Sequence, residues 1–146
     1  MPPSLDPRSR SVKTLAWLGD AEFERDVRTR IAMRADYTPD RLDAVKARIV
    51  RAEAQAHLLD SIEASLQDDE LTIVRRSRNT HVRRTARHVR DTRSYRAASA
   101  LEALVAYWLL AGPHGEARYE QLVVPHLEHA ITQSLAVLAS RRFVRH

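Results

Sequence analysis

YRAASALEALVAYWLL, Tyr95 to Leu110, has one charged side chain beyond Arg96, that of Glu102, and otherwise presents apolar or small residues all round a helix. From Ala97 to Gly112 there is no other Asp, Glu, Lys, Arg or His. A helix that is apolar on every side needs neighbours on every side. The segment is therefore expected at the centre of the fold, running from about Ser94 to Ala111, with the rest of the chain wrapped around it. On a wheel of 100° per residue, Tyr95, Ala98, Val105, Ala106 and Leu109 surround Glu102. An unpaired, ionised carboxylate in such surroundings is costly, or keeps its proton.

Working outward, Gly112-Pro113-His114-Gly115 stops this helix. Glu116 to about Arg142 is amphipathic and reads as two helices meeting at Pro125. On the other side, Arg75 to Arg96 holds nine arginines against the single acid Asp91, more positive charge than the chain's net +5, so the remainder is mildly acidic. This strip has little apolar periodicity and reads as a loop. Asp68-Asp69-Glu70 suits a helix N-terminus, giving a short helix to about Arg78. A helix begins at Thr38-Pro39 and its pattern continues through Ile49 and Leu58 towards Leu66, with a break midway. The first helix runs from near Ser11 to about Ala35. No internal repeat and no alternating strand pattern is present, so the fold class is all-α.

The 146 residues are the size of one domain, with 44% hydrophobic residues to build a core, so residues 1–146 read as a single domain whose first ten residues are flexible. There is no cysteine, which removes disulfides and thiolate metal sites. The N-terminal MPPSLDPRSRS lacks the apolar core of a secretory signal, and no run approaches the ~18 apolar residues of a membrane span, so a soluble, cytoplasmic protein is expected. A mildly acidic body with one arginine-dense strip is suited to a phosphate backbone, since each neutralised phosphate releases counterions. The basic residues are almost all Arg, the only lysines being Lys13 and Lys46, which favours bidentate phosphate contact.

Asp20 is the second acid of interest. Ala16, Phe23, Val27 and Ile31 lie within about 60° of it on the wheel, which points it along an apolar stripe. Three arrangements would make Glu102 tolerable: a salt bridge from an arginine such as Arg96, a protonated side chain hydrogen-bonded in the core, or a divalent cation shared with Asp20.

The strings around these acids carry a resemblance. LAWLGDAEFERDVR (Leu15 to Arg28) resembles the signature helix of the ribonuclease III family, whose core reads like LEFLGDAVLEL. YRAASALEALVAYWLL resembles its second motif, FEALIGA and variants. RRSRNTH (Arg75 to His81) is similar to the KRGRNAK segment of the mini-ribonuclease III subgroup, which has no appended double-stranded-RNA-binding domain. Three motifs in order at family-like spacing are a specific signal. The resemblance implies the helical bundle of the ribonuclease III endonuclease domain. It further implies that Asp20 and Glu102 are catalytic and hold Mg²⁺, with Mn²⁺ as a substitute, and that double-stranded RNA is hydrolysed at its phosphodiester bonds. Arg76, Arg78, Asn79, Arg83, Arg84 and Arg96 would contact RNA, and Trp17, Leu18 and Phe23 on the signature helix would form a homodimer interface. The implied substrate is precursor ribosomal RNA (the 23S precursor).

The chain departs from the family at several places. Ala16 and Ser99 stand where full-length members have further acids, as in the mini subgroup. Glu22 replaces an apolar residue, and Ser77 and Ala106 replace glycines. Glu24 is expected to pair with Arg28 at i,i+4. His126-x-x-His129 reads as a solvated helix face, and Trp108, Tyr107 and Tyr119 as core. The sequence has no G-x-S-x-G elbow, Walker loop or H-E-x-x-H pair, and no Glu-x-x-His pair of a carboxylate-bridged iron bundle. The remaining rival is a catalytically inactive RNA-binding protein on the same scaffold, in which Glu102 is salt-bridged.

Overall fold

The apolar Tyr95–Leu110 segment is the axis around which the other helices pack. The computed structural model describes residues 6–80 and 92–144. Its elements are α1 (Val12–Arg34), α2 (Pro39–Val50), α3 (Ala52–Ile62), α4 (Asp68–Arg78), α5 (Thr92–Leu110), α6 (Pro113–Leu122) and α7 (Val124–Val144), with 3₁₀ turns at Pro7–Ser9 and Glu63–Ser65. No strand occurs among the described residues, so the expected all-α class is observed. Helix α5 packs against α1, α3, α4 and α6, while α2 spans between α1 and α7. From Ala100 to Ala106 only Glu102 is not fully buried. Over these central turns the wrapping that its composition demands is complete except at that one side chain.

Local signals explain most boundaries. Ser11 caps α1 by accepting a hydrogen bond from the Thr14 amide at 3.1 Å. Pro39 occupies the first turn of α2. Gln67 and Glu70 form a capping box that starts α4, the Gln67 amide donating to Glu70 at 2.7 Å. The break between α2 and α3 falls at Arg51, an extended residue at φ −62 and ψ 154, with neither Gly nor Pro to announce it. It is held by buried Gln55, whose amide donates to the Val50 carbonyl at 2.8 Å.

Two boundaries differ from expectation. The glycine-proline stretch does end α5, but α6 begins at once at Pro113, because Gly112 takes φ 96 and Pro113 is preorganised for a first turn. The joint between α6 and α7 lies at Val123, and Pro125 sits in the first turn of α7, where its missing amide is tolerated. The first ten residues are not wholly free either. The Pro7–Ser9 turn packs on α5 with Pro7 buried, and the Ser9 hydroxyl donates to the Asp6 carbonyl at 2.8 Å. Arg83 and Arg84, with the centre of the arginine strip, lie outside the described residues. Among the described residues, no helix is long and apolar enough to cross a membrane.

Candidate active site

Helices α1 and α5 cross with their backbones in contact at Gly19. A Cβ at this position would lie 1.6 Å from the Glu102 carbonyl oxygen and 2.5 Å from its carbonyl carbon, so only glycine permits the approach. The side chain that follows, Asp20, is thereby delivered to Glu102. The two carboxyl groups come close enough for Asp20 to act on the protonation of Glu102. Burial, above all, together with the hydrogen bond and the negative charge of Asp20, pushes Glu102 up to about 8. At neutral pH Glu102 therefore keeps its proton.

The wheel placed Asp20 on the buried stripe. In the structure the stripe is Val12, Leu15, Gly19, Phe23, Val27 and Ile31, and Asp20 is exposed at its edge. Glu102 is half-buried. Neither acid forms an ion pair with an Arg or Lys among the described residues. The salt bridge to Glu102 considered above is not made, by Arg96 or any other described residue.

Asp20 and Glu102 open into a cleft of about 640 Å³. Its walls are Val12, Ala16, Trp17 and Tyr95, and its polar lining comprises Lys13, Ser77, Thr80, Arg96 and Ser99. Two carboxylates in a mixed polar and apolar cleft fit a hard divalent ion, which takes one or two carboxylates and fills its remaining positions with water and phosphate oxygens. No third acid or histidine joins them among the described residues. The donor set thus offers one partly protein-bound cation rather than a closed cage.

A second groove, lined by Glu53, His57, Asp60, Glu63, Arg78, Asn79, Arg93 and Arg96, adjoins the first through Arg96. Arg76 is exposed on α4. Arg78 is engaged by Glu63 at 2.6 Å, and Asn79 is the C-cap of α4, exposed on the groove. Trp17 is 75% exposed beside the carboxylates and Leu18 is half-buried. Phe23 is 2% exposed, a core residue of its own chain between α1 and α5, and offers no surface to a partner. Glu24 pairs with Arg28 at 3.1 Å and also with Lys46 at 3.3 Å. His126 and His129 are exposed, and Tyr107, Trp108 and Tyr119 are buried.

The sequence reading missed a second buried carboxylate. Glu70, taken only as a helix-terminal acid, is 1% exposed. It accepts from Trp108 Nε1 at 2.6 Å and from Arg118 at 2.7 and 2.9 Å. Burial works against its charge, but the bonds from Arg118, the Gln67 amide and Trp108 outweigh it and hold the group below the usual carboxylate range. The Gln67-x-x-Glu70 spacing was the available signal. Glu70 is satisfied by protein groups, whereas among the described residues Glu102 is faced only by another acid.

Comparison with known proteins places the chain in a family. Residues 13–113 match the model of the Ribonuclease III domain family, and the chain belongs to that family. Within it, the chain is similar to Mini-ribonuclease 3 of Brevibacillus brevis, 36% identical over 107 residues that cover 73% of this chain and 79% of that protein. It is likewise similar to Mini-ribonuclease 3 of Gloeobacter violaceus, 40% identical over 115 residues, again 73% of this chain and 79% of the relative. The X-ray structure of a Fusobacterium nucleatum protein superposes with a TM-score of 0.73, covering 86% of this chain and 98% of that one, at 24% identity. That likeness concerns the fold.

Proposed function

We propose that this protein is a magnesium-dependent endoribonuclease that cuts double-stranded RNA as a homodimer, with precursor ribosomal RNA as its substrate. The observation that carries the reading is the meeting of Asp20 and Glu102, two acids from separate helices with no basic partner among the described residues, in a cleft rimmed by arginine. The family of its relatives supplies the reaction class.

Asp20 and Glu102 would hold Mg²⁺, with Mn²⁺ able to replace it. Bound there, the ion supplies Lewis-acid activation of water and neutralises charge developing on the leaving 3′-oxygen. The chain's own groups do the rest. Glu102 would give up its proton when a cation arrives, so affinity would rise with pH towards about 8. Val12, Ala16 and Tyr95 keep one wall of the cleft apolar, which strengthens every charge interaction inside. Arg76, Arg78 and Asn79, with Arg83 and Arg84 from the strip, would track the backbone of an A-form duplex, which is read by shape and 2′-hydroxyls rather than by sequence. Trp17 and Leu18, on the helix that carries Asp20, are the proposed dimer contacts.

A long RNA duplex incubated with Mg²⁺, and separately with chelator, tests this. Cleavage should require the ion and vanish in Asp20→Asn and Glu102→Gln while duplex binding persists. Cleavage that survives both substitutions overturns the assignment. Binding by the wild-type protein without any cleavage leaves the inactive RNA-binding scaffold in its place.

A further inference from the structure

Arg96 is anomalous. It is half-buried at the start of α5, and its Nε is inaccessible to solvent with no hydrogen-bond acceptor among the described residues. Buried guanidinium N–H groups are nearly always paired, and an unpaired one costs stability. Two carboxylates line the same cleft, yet Arg96 forms an ion pair with neither. It is also shared between the carboxylate cleft and the neighbouring groove of Arg78, Asn79 and Arg93.

These facts go together if the missing acceptor arrives with the substrate. We propose that Arg96 is a catalytic residue whose guanidinium binds a non-bridging oxygen of the phosphate being cut, rather than one more contact to distant backbone. The inference rests on the nuclease reading above. In the hydrolysis a water oxygen bonds to phosphorus and the bond from phosphorus to the 3′-oxygen breaks. One water proton ends on the departing 3′-oxygen and the other is lost to solvent, leaving a 3′-hydroxyl and a 5′-phosphate. Negative charge builds on the phosphoryl oxygens at the crowded stage. A planar donor whose Nε is already shielded from water would stabilise that charge with less reorganisation than a solvated one. Arginine suits this where lysine does not, because its fork can serve a phosphate from two nitrogens. Held away from Asp20 and Glu102, it leaves both acids for the cation.

The test uses full-length protein and a duplex RNA with a single defined cut site, comparing wild type, Asp20→Asn, Arg96→Lys and Arg96→Met. Arg96→Met should lower kcat about 100-fold, the scale of losing one preorganised donor to a developing oxyanion, with KM changed less than about threefold. Arg96→Lys should recover part of the loss. Because the buried Nε has no partner among the described residues, Arg96→Met should melt no lower than wild type. A raised KM with unchanged kcat would make Arg96 a remote backbone contact and overturn the proposal. So would a lowered melting temperature accompanying the activity loss, which would mark a structural role. If the wild type cuts and the Arg96 variants match it, this inference alone fails; if the wild type does not cut, both it and the nuclease reading fall.

Discussion

Gly19 is the residue on which the candidate site depends, and it explains how sequence reading reached two acids that meet in the fold by a slightly wrong route. A hydropathy wheel gives glycine no weight, so the centre of the buried stripe of α1 was credited to its neighbour Asp20. The structure returns that place to Gly19 and sets Asp20 at the edge, where it meets Glu102. Gly19→Ala should therefore do two things. It should destabilise the fold by about 3 kcal/mol, the upper end for overpacking, because the obstruction is backbone; and it should abolish cleavage by separating the acids. Denaturant unfolding beside a cleavage assay checks both, and a variant with near wild-type stability would contradict the close crossing. Burial made Glu102 itself legible, since a lone acid in an apolar helix has few explanations. Which explanation held was not legible, because that depends on where Arg96 points.

The two buried carboxylates also predict opposite pH behaviour. Glu102 binds its proton more tightly in the folded state, so without divalent cation its contribution is fully present below its ordinary range and is lost as pH rises towards about 8. Glu70 is held below its ordinary value, so its contribution is present above that range and is lost as pH falls through it. In chelator the melting temperature should decline between about pH 5 and 8, and Mg²⁺ should lift it most at the alkaline end. Glu102→Gln should flatten that decline. An unchanged slope in this variant would mean that Glu102 does not carry the extra proton.

At the level of elements, the helices whose caps and periodicity agree were readable to within a residue or two: α1 from Ser11, α4 from its acidic start, and α5 from its apolar run. The position of the α2–α3 break and the immediate start of α6 were not, because Gln55 reaching back to Val50 and the backbone of Gly112 are choices made by tertiary context. The same holds for the anchoring of α4, whose C-terminal end carries Arg76 and Arg78. Its start is tied to α5 and α6 by Glu70, Trp108 and Arg118, and Arg118 also donates to the Ser65 carbonyl at 3.0 Å. Arg118→Met removes the cation and leaves a buried, charged acid with one indole and a backbone amide. The expected cost is about 3–5 kcal/mol. Arg28→Met, at an exposed pair, should cost under about 1 kcal/mol. Chemical denaturation of the two variants side by side decides the matter; similar losses would show that the Glu70 cluster does not anchor α4.

For the whole molecule, the sequence announced an all-helical domain built round one helix, and it hid which apolar residues of α1 face inward. Phe23 and Trp17 look alike in sequence, but α1 turns Phe23 into the core and leaves Trp17 75% exposed. A large aromatic left in solvent beside the carboxylate cleft is available to a partner as an anchor. In the proposed dimer, each protomer contributes one carboxylate pair and each pair cuts one strand. Trp17→Glu places a charge where that contact would be made, and losing a central aromatic anchor costs at least about 2 kcal/mol, or roughly thirtyfold in dimer dissociation. Sedimentation velocity should then show a shift from dimer to monomer at micromolar concentration. The products should change as well, since an isolated protomer carries one site and would leave nicks, visible under denaturing conditions as broken strands within an intact native duplex. A Trp17→Glu protein that stays dimeric and still severs both strands would place the subunit contact on another face. A wild-type protein that sediments as a monomer while cutting both strands would remove the need for a dimer altogether.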